Sequence, residues 1–413
     1  MEAQTSLNRP NIVIGALGTT NYKQTTYTFG DNSPSYPTQF FLAALAAVKQ
    51  AQHILVFATE AAQNNNGQLL EDEAQRLCGI KPTFIRIDEG KDMYELWDIF
   101  QAIANAIPQN AEVFADITNS YRSLPLLMNS ALVYLTHVKG VTVREIAYGA
   151  FEAKSADNIS PVFNITPFTS LIDWSAAVKV FTTTGSCSAI SDMLDTTLVY
   201  IVDSKYFVLE EDGWERLPQE IDEHFAKLQS LLQQFSEFAD MIYIIRLTNI
   251  AKDIVEEIKA VREYLIAPIA TFFDSIQQEF NRFAAPPFTL STAQEQLAKQ
   301  IRLMEWLTDK KHYFQAITVA REWFITWAML QHGGFQEDDF LNFEKRDDIN
   351  VPDVIRKRPY SNQQETIRIW NSTKELRNEL AHCGYSKTTK SAEDIQKKVE
   401  KIVQFLAKKG PSL

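Results

Sequence analysis

The sequence predicts an α/β chain with a Rossmann-like parallel sheet first, a mostly α-helical connector next and an all-α domain last. Three observations predict it. Over the first 150 residues, short apolar runs rich in β-branched and aromatic residues alternate with helical periodicities. From Pro218 onward nearly every segment carries a helical pattern, and Ala284-Ala285-Pro286-Pro287 is the clearest break in it. The expected domains are therefore residues 1–185, 186–285 and 286–413.

Taken in order, the strand segments are Asn11–Leu17, His53–Thr59, Thr83–Ile87, Glu112–Thr118 and Arg144–Gly149. The helical segments between them are Thr38–Gln50, Gln68–Cys78, Met93–Ile107 and Ser123–Val138. Continuous apolar strands separated by helices indicate a parallel sheet covered on both faces, wound by right-handed crossovers. Ligands in such sheets bind beyond the carboxyl ends of the strands, where strand order reverses. Leu198–Ile201 and Tyr206–Leu209, joined by Asp203-Ser204-Lys205, read as a hairpin. Helices are then expected at Glu220–Phe238, Met241–Ala267, Ile269–Phe283, Thr292–Thr308, Lys311–Gln331, Gln364–His382 and Ala392–Lys408.

Composition limits function. In 413 residues there are 40 Lys+Arg against 52 Asp+Glu, a net charge of −12. That argues against coating nucleic acid through bulk charge. The imbalance is uneven: residues 345–413 hold 15 basic and 9 acidic side chains, a net of +6, which leaves −18 for residues 1–344. Cys78, Cys187 and Cys383 are far apart and supply neither a disulfide framework nor a zinc site. No apolar stretch reaches the length of a membrane span, and the start lacks a signal-peptide pattern, so a cytoplasmic protein without a membrane partner is expected.

Two strand-end loops could hold a ligand. Gly18-Thr19-Thr20-Asn21-Tyr22 follows the first strand, and Thr118-Asn119-Ser120-Tyr121-Arg122-Ser123 follows the fourth. Both are rich in hydroxyls and amides suited to phosphates, riboses or base edges. The second runs into a helix N-terminus, which favours an anion, and Arg122 adds a fork of donors. Ser120 or Ser123 could equally serve only to cap the helix. Gly15-Ala16-Leu17-Gly18-Thr19-Thr20 lacks the G-x-G-x-x-G that a dinucleotide fold needs.

A second candidate is Arg377-Asn378-Glu379-Leu380-Ala381-His382, near the end of a helix whose apolar stripe includes Ile369, Thr373, Leu376 and Leu380, with Gly384 as terminator. Arg377 and His382 are five residues apart, about 140° around a regular helix. His382 can move a proton near neutral pH, and Arg377 can hold a phosphate. That pair suits RNA cleavage without metal, by the substrate's own 2′-hydroxyl. An Arg and a His near a helix C-terminus also complement the dipole with no catalytic role. His53, His137, His224, His312 and His332 have no metal-site spacing, and no metal is expected. Tyr313, Phe314, Trp323, Phe324 and Trp327 read as helix core; Glu322, beside Arg321, is either a buttress for the Arg–His site or a solvated side chain.

Together these stretches resemble the CARF–HEPN ribonucleases of type III CRISPR systems. The likeness is carried by LGTTNY (17–22) with Tyr27, ILVFATEAA (54–62), ELWDIFQAI (95–103), DITNSYRSLPLL (116–127), IAYGAFEA (146–153), PVFNITPFTSLIDW (161–174) leading to Thr184-Gly185, and RNELAH (377–382). The resemblance implies a CARF sensor domain, a connector and a HEPN nuclease domain. It implies a homodimer that binds a cyclic oligoadenylate, with cyclic tetra-adenylate favoured, and that cuts single-stranded RNA in a cleft lined by Arg377, Asn378 and His382 of both copies. Gly18, Thr19, Thr20, Asn21 and Tyr22, with Thr118, Asn119, Ser120, Arg122 and Ser123, fall on the family's ligand loops. No cofactor is implied beyond that activator. Two departures stand out: the family commonly has His-Gly-Phe where Asn119-Ser120-Tyr121 stands, and Gly where Thr20 stands. A sensor coupled to a non-catalytic binding module, or a nuclease acting on the cyclic ligand itself, are the alternatives.

Overall fold

The computed structural model describes residues 9–30, 34–119, 123–209, 215–357, 362–385 and 390–410. The chain divides into two compact units, Met1–Ser170 and Leu171–Leu413.

In the first unit the order is β1 (Asn11–Leu17), β2 (Thr25–Thr28), β3 (Ser35–Thr38), α1 (Phe41–Val48), β4 (His53–Ala58), α2 (Glu60–Cys78), β5 (Thr83–Arg86) and α3 (Met93–Ala106). It continues with β6 (Glu112–Asp116), α4 (Leu124–Lys139), β7 (Thr142–Gly149) and β8 (Ile159–Asn164). Among the described residues these strands form one eight-stranded sheet ordered β3-β2-β8-β7-β6-β1-β4-β5. The five strands read from the sequence are β1, β4, β5, β6 and β7, and they run parallel. The sheet as a whole is mixed, because β8 pairs antiparallel to β7 and β3 antiparallel to β2. Proline and short polar stretches hid the extra three: β3 is Ser-Tyr-Pro-Thr, and Pro161 interrupts β8.

Side chains of β1 alternate between two apolar layers. Ile12, Ile14 and Ala16 pack with Ile103 of α3 and Met128 and Leu132 of α4. Val13 and Leu17 face the other layer, with Phe41 and Leu42 of α1 and Leu70 and Ala74 of α2. Gly15 and Gly149 let α1 approach closely: a Cβ would lie 2.6 Å from Leu42 Cδ1 at Gly15, and 2.7 Å from the Phe41 ring at Gly149. Helices thus cover both faces, as a doubly wound sheet requires.

Helix α5 (Thr166–Thr184) spans the division between units, and α6 (Ser188–Ile201) follows. Leu198–Ile201, read as a strand, is the last turn of α6; Leu194 and Ile201 of that helix are buried in the helical core, so packing overrides the β-branched run. The hairpin lies further on, between β9 (Val208–Leu209) and β10 (Glu215–Arg216). The rest is helical: α7 (Gln219–Met241), α8 (Ile244–Val261), α9 (Ala267–Asn281), α10 (Ala293–Asp309), α11 (Tyr313–His332), α12 (Phe343–Asp348), α13 (Val351–Arg356), α14 (Gln363–Ala381) and α15 (Ala392–Lys409). One core runs through them, with Trp174, Phe181, Phe235, Phe280, Phe283 and Trp306 among its large side chains. Gly185, at φ +79°, sits against the Trp306 ring, where a Cβ would come within 2.4 Å.

Candidate functional site

Strand order reverses at β1, which continues to β4 and β5 on one side and to β6 and β7 on the other. The carboxyl ends of β1 and β6 therefore bound a crevice. A pocket of about 250 Å³ lies there, lined by Gly18, Thr19, Thr20 and Tyr22 from one loop and Thr118 and Asn119 from the other. Thr59, Ile87 and Leu124 complete it. Asn21 is exposed and does not line this pocket. Ser123 is the residue before α4, exposed, with no capping bond from its side chain. Ser120 and Arg122 lie outside the described residues.

Side chains that sequence reasoning passed over hold the first loop in shape. Asn66, buried on α2, donates from Nδ2 to the Gly18 carbonyl at 2.9 Å and to the Thr20 carbonyl at 3.0 Å. The Gly18 N–H donates to Tyr22 Oη at 2.7 Å. Thr59 caps α2, its hydroxyl accepting from the Ala62 N–H at 3.3 Å. Burial is the main reason the Tyr22 phenol is pushed up to about 12; the Gly18 bond acts the other way, and Asp116 adds to the rise.

The second loop is set by Asp116, at the end of β6 and only 1% exposed. Its Oδ1 accepts from the Thr118 N–H at 2.7 Å, and the Thr118 hydroxyl accepts from the Gly149 N–H at 2.8 Å. Asp116 Oδ2 has no hydrogen-bond partner among the described residues. Burial pushes this carboxyl up to about 6, against the lowering effect of its Thr118 contacts. Burial, reinforced by the Asp116 charge, also raises the Tyr27 phenol. Hydroxyls, amides and backbone N–H groups dominate the polar lining, which contains no basic side chain among the described residues.

The second unit carries the Arg–His helix. Of the expected stripe on α14, Ile369, Thr373 and Leu376 are buried, along with Trp370, and Leu380 is half-buried. Trp370 meets Phe324 of α11 edge-on at 5.7 Å between ring centroids. Arg377 is half-buried. Its Nη1 donates to Asn378 Oδ1 at 3.1 Å, while its buried Nε has no partner among the described residues. His382 follows the last helical residue and is exposed, its N–H donating to the Asn378 carbonyl at 3.0 Å. Cys383 and Gly384 then take positive φ values of 54° and 74° and turn the chain away.

Arg321 and Glu322 of α11 act electrostatically on Arg377, and Arg346 of α12 is tied to Glu322. Glu322 pairs with neighbouring Arg321, and Arg346 Nη2 donates to Glu322 Oε2 at 2.8 Å. Arg346 also donates to Thr326 Oγ1 at 3.1 Å and to the Phe340 carbonyl at 3.0 Å. Burial and the Arg321 charge lower the Arg377 guanidinium, with Glu322 opposing them. Glu322 is therefore an ion-paired residue facing Arg377, and Arg346 is a partner that no motif announced.

Among the described residues no helix is long and apolar enough to cross a membrane. No protein-family profile matches the chain. Over 243 residues, 55% of the chain, it is 25% identical to the CRISPR-associated protein MJ1674 of Methanocaldococcus jannaschii. The matched stretch covers 31% of that relative, so the chain spans less than a third of its length.

Proposed function

We propose that this chain is a CRISPR-associated endoribonuclease switched on by a cyclic oligoadenylate, cyclic tetra-adenylate first among them. The observation that carries the reading is Arg377. It is half-buried, has an unpartnered Nε, and is paired with no carboxylate among the described residues. A partly desolvated guanidinium left without an anion is a poor structural device and a good phosphate site. Exposed His382 closes the same helix, and the similarity to a CRISPR-associated protein over half of the chain supports this setting.

The chemistry follows from these groups. The substrate's 2′-oxygen attacks the adjacent phosphorus as its proton passes to a base. The P–O5′ bond breaks, and the leaving oxygen takes a proton. The products are a 2′,3′-cyclic phosphate and a 5′-hydroxyl. His382 serves the proton transfers, and Arg377 neutralises charge growing on the phosphoryl oxygens. Two copies would supply two His–Arg sets to one cleft, so that one imidazole acts as base and the other as acid.

The activator belongs in the pocket between the β1 and β6 loops, where hydroxyls and N–H groups would meet its riboses and phosphates. Activation requires the ring to bind the cutting arrangement better than the resting one. The test is cleavage of a single-stranded RNA in EDTA, with and without cyclic tetra-adenylate. Ring-dependent cleavage leaving cyclic-phosphate ends supports the reading. Absence of cleavage with every ring size rejects it.

A further inference from the structure

A second pocket, of about 460 Å³, lies in the helical unit and plays no part in the steps above. Phe288 and Phe340 form one apolar wall, with ring centroids 5.3 Å apart. Glu322 and Arg346 line it too, and the bonds from Arg346 to Glu322, Thr326 and the Phe340 carbonyl make that side rigid. Gln300 of α10 also lines it and is 4% exposed, and its side chain makes no hydrogen bond among the described residues. An amide without a protein partner that opens onto a pocket is free to pair with a ligand there. At the rim Arg246 is exposed and has no acidic partner among the described residues.

The pocket joins the Arg377 site through Glu322, which lines it and also acts electrostatically on Arg377. We propose that it holds one nucleobase of the RNA, adenine in preference, next to the bond that Arg377 and His382 cut. This rests on the nuclease reading above. The Gln300 amide offers a donor and an acceptor side by side, matching the donor–acceptor edge of adenine. The phenylalanine wall packs the base, and Arg246 meets the adjoining phosphate. The volume is that of a small-ligand site and admits a purine.

The test uses the full chain and the four nucleoside 5′-monophosphates, titrated against wild type, Gln300→Leu and Arg377→Ala. Wild type is expected to bind AMP about tenfold more tightly than UMP, and Gln300→Leu to lose that difference. Arg377→Ala should keep it. On a random single-stranded RNA library, wild type should favour cuts beside adenine, and Gln300→Leu should flatten the preference about tenfold while still cutting. Melting temperature checks folding and should be little changed, because the Gln300 side chain makes no hydrogen bond to the protein that the variant would remove. Equal binding of the four nucleotides by wild type and Gln300→Leu overturns the proposal. So does a change in oligomeric state of Gln300→Leu without any change in nucleotide binding, which would assign the pocket to a second copy. A Gln300-dependent AMP preference together with undiminished cleavage by Arg377→Ala keeps the base pocket and rejects the catalytic reading.

Discussion

Asn66 holds Gly18: its side-chain amide donates to the Gly18 carbonyl at 2.9 Å from a helix 48 residues further along the chain. The same amide reaches the Thr20 carbonyl, so one buried side chain fixes two peptide groups of the loop after β1. With both carbonyls engaged, the loop's outward face is set before a ligand arrives, which lowers the ordering cost of binding.

Removing that support should weaken nucleotide binding without unfolding the sheet. For Asn66→Ala, which removes two loop hydrogen bonds, we expect about a tenfold loss of affinity for cyclic tetra-adenylate, and for Tyr22→Phe, which removes one, about a three- to tenfold loss. Isothermal titration checks both. Undiminished affinity in both variants would move the ligand site away from this loop.

Asp116 makes a pH prediction. Its folded value, about 6, lies above the ordinary 3.8, so the folded state holds this proton more tightly than the unfolded chain. Stability from this group is full below about pH 4 and falls as pH rises through 6, by about 3 kcal/mol in all. Asp116→Asn should flatten that fall, which urea titrations at pH 5, 6 and 7 would measure. A slope unchanged in Asp116→Asn would contradict the assignment.

On α3, Met93, Tyr94 and Trp97 are exposed, at 64%, 83% and 58%. Trp97 leads through Phe100 to Tyr134 of α4 by edge-on ring contacts of 5.7 and 5.5 Å. Large aromatic side chains left in water on adjoining helices fit a surface that a second copy covers. In light scattering the proposed dimer should fall to monomer on Trp97→Glu, with the melting temperature moving little. A dimer that persists would place the contact elsewhere.

Much of the first unit was legible because its parallel strands are buried on both faces and read as plain apolar runs, as in NIVIGAL and HILVFA. The edge strands were not: TTYT and SYPT owe their state to pairing with β8 and with each other, which local pattern does not encode. Leu198–Ile201 misled for the converse reason, its β-branched residues being recruited into a buried helix. At the sites, loop residues stood out by composition. The residues that hold them did not, because Asn66 and Arg346 act across 48 and 24 residues of sequence and look like any polar side chain on a helix.

The most direct test of the account is RNA cleavage by Arg377→Ala and His382→Ala, measured in EDTA with saturating cyclic tetra-adenylate, alongside ring binding by the same variants. The account predicts at least a hundredfold loss of cleavage in each, since each removes a proton-transfer or charge-stabilising group, with ring affinity unchanged. Cleavage at the wild-type rate in both variants would contradict it.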